Sequence, residues 1–206
     1  MQAAPGAPLT TGGTGDADST SAPRLRPLVL ALALAAVAWA ADVVTKSLAV
    51  AHLTDRPDVD LVPGVLNLTL TRNSGAAFSL GTGFTVVLTA IACVVVVVVL
   101  RLLPKVRSTG WALALGLLLG GALGNLTDRI LRSPSPFRGH VVDFLELPHW
   151  PVFNLADCFI VTAAMLIALQ SVRGIGVDGS RVPRPAADPA APGGQEADGP
   201  DERPGR

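Results

Sequence analysis

Two aspartates fourteen residues apart, Asp143 and Asp157, stand in the stretch VVDFLELPHWPVFNLADCFIV at 141–161. An apolar run suited to lipid follows the second at once. Carboxylates are costly at a membrane boundary, so a pair kept there asks for a use. Two carboxyls held close cannot both ionise cheaply; they share a proton and their pKa values split. The ionised one can then take a proton from water while the protonated one polarises a carbonyl. That is general acid–base hydrolysis of an amide without a metal or a covalent nucleophile. On spacing alone, however, two lone acids near a membrane surface read as solvated loop residues.

Other polar residues fall in groups. Asp42 and Lys46 are four apart, on one helix face, and can form an ion pair that holds a span to its bundle or serves chemistry. Asn125, Asp128 and Arg129 also share a face, behind the close-packing glycines Gly120, Gly121 and Gly124. Arg129 beside Asp128 favours an ionised carboxylate, a poor proton shuttle. This group reads as an organiser of a site, with Arg129 binding a substrate backbone or head group, or equally as a structural polar knot. Cys158 follows Asp157, but adjacent helical residues point about 100° apart. With no histidine near it in sequence, it reads as a small buried residue. His52, His140 and His149 are scattered, and the two cysteines have no metal-ligand spacing, so no metal or other cofactor is expected. Trp150 and Phe153 read as interfacial aromatics.

The elements that position these residues are apolar. Half of the 206 residues are hydrophobic and the formal net charge is zero, which excludes an ordinary soluble domain and gives no basic field for nucleic acid. Four segments, 28–50, 84–103, 111–131 and 152–172, are each about 20 residues, enough for a helix to cross about 30 Å of hydrocarbon. Lipid cannot satisfy backbone polar groups, so helices are predicted even through the valine run 94–99. The start of the first span, RLRPLVLALALAAVAWA, has the shape of a cleavable signal peptide. A 23-residue polar tail before it and three spans after it favour a retained helix. Residues 1–22 and 174–206 are rich in Pro, Gly and Ala and are predicted to be disordered tails flanking a membrane domain at 23–173.

Arg101, Lys105 and Arg107 crowd the turn between spans two and three, without an acid. Basic residues in short loops stay inside, so both termini and this turn are predicted to be cytoplasmic. Loops 51–83 and 132–151 then face outward, with Asp143 and Asp157 on the same outer side. In the first loop, Leu66, Leu68 and Leu70 alternate with Asn67, Thr69 and Thr71, the period of a half-buried strand. The fold class is thus all-α integral membrane, four transmembrane helices with a small β-sheet cradle in the first outer loop.

DVVTK (42–46), RNSGAAFS (72–79), GGALGNLTDR (120–129), VVDF (141–144) and FNLAD (153–157) occur in that order across the spans. Together they closely resemble signal peptidase II, the bacterial prolipoprotein signal peptidase, over about 28–172. The resemblance implies an intramembrane aspartyl protease of the cytoplasmic membrane. It would cut signal peptides from diacylglyceryl-modified prolipoproteins just before the lipidated lipobox cysteine. It implies Asp143 and Asp157 as the catalytic pair, against the loop reading that spacing alone favours. It places Asn125, Asp128 and Arg129 beside the site, Asn154 next to the pair, Asn73 and Gly75 in the substrate-contacting outer loop, and Asp42 and Lys46 as core support. It implies inhibition by the cyclic peptide globomycin, contact with membrane lipid, and a monomer. The chain departs from the family's pattern at Val43, where glutamine is usual, in a longer 128–143 stretch with two prolines, and in a short 143–157 stretch. These bear on loop shape and lipobox preference. Two other readings compete: a proton relay, which needs acids stacked at several depths, and a non-catalytic assembly factor, which could lose both aspartates without effect.

Overall fold

A computed structural model describes residues 22–75 and 84–181. The polar stretches 1–21 and 182–206, and Ala76–Ser79 of the second resemblance motif, lie outside the described residues. Four helices carry the fold: α1 Ala22–Leu53, α2 Phe84–Leu102, α3 Thr109–Leu131 and α4 Leu155–Val172. All four are long and apolar enough to cross a membrane. The valine run lies inside α2, where the helix satisfies its own backbone. The first helix runs past the expected 28–50 at both ends. The fourth starts three residues later than expected, because Asn154 caps it.

The central helix is α3, which packs against α1, α2 and α4. Its glycines make this possible. A Cβ on Gly120 would lie 2.6 Å from Ala38 Cβ and 2.8 Å from the Ala35 carbonyl, and one on Gly121 would lie 2.7 Å from the Ala156 carbonyl. Ala31, Ala35 and Ala38 present the matching small face of α1, all buried. In lipid, where apolar burial between helices gains little, such backbone proximity supplies the packing. Ala31, Ala35, Leu115 and Leu119 continue into a cluster with Val99, Leu103 and Val106 at the α2–α3 turn.

At the other end of the bundle lies a three-stranded antiparallel sheet in the order β1 Val59–Val62, β2 Leu66–Asn73, β3 Val141–Glu146. The sheet expected in the first loop draws its third strand from the second loop. Thr71 stands opposite Asp143 and Asn73 opposite Val141. Val142 and Phe144 pack with Leu68 and Leu70 onto Ala49 and Leu53 near the end of α1. That face of the sheet is apolar, and Asp143, between Val142 and Phe144 in a pleated strand, faces the other way. Past α4, Gly174–Arg181 fold back rather than leave as a free tail. Trp111 donates to the Ile175 carbonyl at 2.8 Å, and Arg107 N–H donates to the Val177 carbonyl at 3.0 Å.

Candidate active site

The second carboxylate is built by helix capping. Asn154 is the N-cap of α4 and Asp157 its N3 residue. Asp157 N–H donates to Asn154 Oδ1 at 3.1 Å, and Asn154 N–H donates to Asp157 Oδ2 at 3.1 Å. This reciprocal capping box satisfies two orphan donors of the first turn and places an acid where the helix dipole favours negative charge. The same Asn154 turns its amide nitrogen to Asp143 Oδ1, at 2.6 Å. One residue thus holds both carboxyls at the point where β3 faces the mouth of α4.

Asp143 receives a second donor from the sheet. Asn73, two residues along β2 from the residue facing Asp143, gives its Nδ2 to Asp143 Oδ2 at 2.9 Å. The amide is oriented from behind: Gly75 N–H donates to Asn73 Oδ1 at 2.7 Å. Gly75 has φ +91°, a left-handed backbone that favours glycine, and a Cβ there would also press on the tip of Leu88 at 2.7 Å. Thr85 at the head of α2 donates to the Ser74 carbonyl and pins this turn to the bundle. Asp143 is 2% exposed. Burial pushes its carboxyl up to about 6 and the nearby Asp157 charge adds to the rise, against the pull of the Asn73 and Asn154 amides and of Lys46. Beside it a cavity of about 270 Å³ is lined by Thr71, Arg72, Asn73, Ser74, Asp143, Pro151 and Val152.

Behind the two acids lies a largely buried polar network. Asn125 Nδ2 donates to Asp157 Oδ1 at 2.9 Å, and its Oδ1 accepts from Asn154 Nδ2 at 3.2 Å and from Lys46 Nζ at 2.9 Å. Lys46 also pairs with Asp42 at 2.7 Å and with Asp128 at 3.1 Å. Asp42 accepts from the Ala156 N–H at 2.9 Å, tying α1 to the first turn of α4. Asp128 accepts from the Val142 N–H at 3.1 Å and from Arg132, tying α3 to β3. Removing one partner from such a buried pair costs about 3–5 kcal/mol, because the other charge is left unpaired. Arg129 is 8% exposed, and its Nη1 has no hydrogen-bond partner among the described residues.

The family model for signal peptidase (SPase) II matches residues 34–173. The chain belongs to the signal peptidase II family. It is 48% identical over 189 residues to a lipoprotein signal peptidase of Mycolicibacterium smegmatis, spanning 91% of this chain and 80% of that relative. A lipoprotein signal peptidase of Streptomyces coelicolor is 47% identical over 155 residues, 75% of this chain and 76% of the relative. Among solved structures, a bacterial membrane enzyme determined in meso at 1.9 Å superposes with a TM-score of 0.62 at 27% identity, covering 69% of this chain and 92% of that one. The four apolar helices and this neighbour make the chain a multi-pass bacterial membrane peptidase of signal peptidase II type.

The structure brings every residue singled out by type and spacing to one end of this signal peptidase II bundle. Asn73, Asn125, Asp143, Asn154 and Asp157 form one hydrogen-bonded set, which Lys46 joins to Asp42 and Asp128. Gly75 orients the set from outside it. The basic partners of Asp128 are Lys46 and Arg132, not its sequence neighbour Arg129, because successive helical residues diverge by about 100°. Sequence reasoning misses Arg132, although it lies one helical turn beyond Asp128. It also misses the cap, although Asn154, an acid three residues on and an apolar run behind it spell an N-terminus signature.

Proposed function

We propose that Asp143 and Asp157 are the catalytic pair of this peptidase and that it cuts the bond preceding the diacylglyceryl-modified cysteine of prolipoproteins. Membership of the signal peptidase II family carries the activity itself, removal of signal peptides from prolipoproteins. The observation that supports the pairing is Asn154, one side chain and one backbone N–H of which bind the two carboxyls together. The pair works by acid–base exchange. The ionised carboxylate takes a proton from water, the resulting hydroxide adds to the peptide carbonyl carbon, and the protonated carboxyl gives its proton to the carbonyl oxygen. As the tetrahedral species collapses, the amine leaves with the proton taken from water, and one hydroxyl proton of the species returns to the carboxylate that had protonated the carbonyl oxygen, restoring the pair. No cofactor enters. Asn73, Gly75, Asn125, Asp128 and Asn154 organise the pair, and the free N–H of Arg129 serves a substrate carbonyl or head group.

In this reading the bundle 23–173 is the catalytic domain. The termini are cytoplasmic and the sheet end faces outward, where a cysteine anchored by its lipid meets the acids at the membrane boundary. The chain acts as a monomer in contact with lipid. The test uses purified protein in detergent with one precursor in two forms, diacylglyceryl-modified and unmodified, followed by gel shift. The reading requires cleavage of the modified form, faster than of the unmodified form, and block by globomycin. Equal rates on both forms would remove the lipid from substrate recognition.

A further inference from the structure

Each carboxamide around the two acids can sit either way round, and only one way offers N–H to a carboxylate. Asn73 is set by the Gly75 N–H on its oxygen, and Asn154 by the Asp157 N–H on its oxygen. Asn125 differs. Its oxygen receives Lys46 Nζ at 2.9 Å and the more distant Asn154 amide at 3.2 Å, and its nitrogen faces Asp157 Oδ1 at 2.9 Å. An ammonium has three donors and no acceptor. Lys46 Nζ lies 2.7 Å from an Asp42 oxygen and 3.1 Å from an Asp128 oxygen, and it donates to Asn125 Oδ1 at 2.9 Å. Lys46 is 1% exposed and cannot turn to water instead. It therefore forbids the flipped Asn125, which would set an amide N–H against the ammonium and an amide oxygen against Asp157.

We propose that Lys46 is a positioning residue for hydrolysis: acting through Asn125, it keeps an amide donor on Asp157 and so fixes that carboxylate as the proton acceptor. This rests on the two-aspartate reading above. Asp157 is met by Asn125 from α3 and by Asn154 at its own cap, with the charges of Arg129 from α3 and Asp143 from β3 near it, while Lys46 from α1, with the Asp42 and Asp128 carboxyls it pairs, stands behind Asn125. Among these, the Lys46–Asn125 contact passes a fixed orientation from a charge that does not touch the reacting atoms. The span-one pair is then more than a brace between helices.

The test is a double-mutant cycle with Lys46→Met and Asn125→Ala, read as kcat and KM on diacylglyceryl-modified precursor, with melting temperature alongside. Misplacement of a catalytic group by about 1 Å costs about a hundredfold in rate. Each single variant is expected to lose about that much in kcat, with KM within about twofold, and the double variant to lose no more than either, as for residues acting in one chain. Independent action would instead multiply the two losses, and a purely structural role would leave kcat of folded Lys46→Met near wild type. Either result overturns the proposal. Should Lys46→Met not fold, the cycle is run in Asp42→Asn, which removes the carboxylate left unpaired, and the same outcomes decide. Asp157→Asn is the control. If it stays active, the two-aspartate reading fails. If it is dead while the cycle is additive, only the role of Lys46 fails.

Discussion

At the scale of single residues, the site centres on two carboxyls, Asp143 and Asp157, whose every oxygen meets a donor, and on amides that are each oriented from behind. Asp143 and Asp157 are legible as types and spacing, but their pairing is not, because nothing linear says that one asparagine binds both. Asn154 carries two roles that a substitution can separate. Asn154→Ser keeps an oxygen to cap α4 but loses the amide N–H to Asp143. We expect a melting temperature near wild type and a loss of at least about tenfold in kcat. Asn154→Ala loses the cap as well, at about 1 kcal/mol of stability. Thermal melts beside initial rates distinguish the two. The raised carboxyl of Asp143 sets a pH dependence. Its proton is held up to about 6, above the usual 3.8. As pH rises through about 6 the pair loses the proton it gives to the carbonyl oxygen. The rate kcat/KM is therefore expected to fall on that side of the profile, which reports the free enzyme. A flat profile from about 5 to about 8 would contradict this.

At the scale of elements, the four spans are legible because about 20 apolar residues admit one solution in lipid. Strand β2 is legible from its alternation. Strand β3, which carries Asp143, is not. Val141–Phe144 are all buried, so the period-two signal is missing. What remains is a β-branched and aromatic run between Gly139 and Pro148. Close helix approach is legible in the glycines of α3, but its use is not. A Cβ on Gly124 would run into Asp42 Oδ2 and lie 2.9 Å from its Cγ. Gly124→Ala is therefore expected to push the Asp42 carboxylate off Lys46 and the Ala156 N–H. Stability should fall by about 1–3 kcal/mol, seen as a lower melting temperature, together with cleavage. An unchanged melting temperature would mean that the helices part without cost.

At the scale of the whole molecule, the polar groups gather at the sheet end, where α1 and α3 finish and α4 begins. A relay would need acids along the depth of the bundle; in the described residues they converge on one site. The topology makes a separate prediction. In a background lacking Cys93 and Cys158, a cysteine replacing Asp58 should react with an impermeant maleimide on intact cells, and one replacing Lys105 should react only after lysis. The reverse pattern would invert the orientation. The order of motifs along the chain is enough to place the molecule in its family. What it cannot carry is the wiring through Lys46, Asn125 and Asn154, which depends on three helices meeting. The most direct measurement is the initial rate of signal-peptide removal from diacylglyceryl-modified precursor by folded Asp143→Asn and Asp157→Asn. Each is expected to fall about a thousandfold, the scale of lost acid–base catalysis. Either variant cleaving at the wild-type rate would contradict the two-aspartate mechanism.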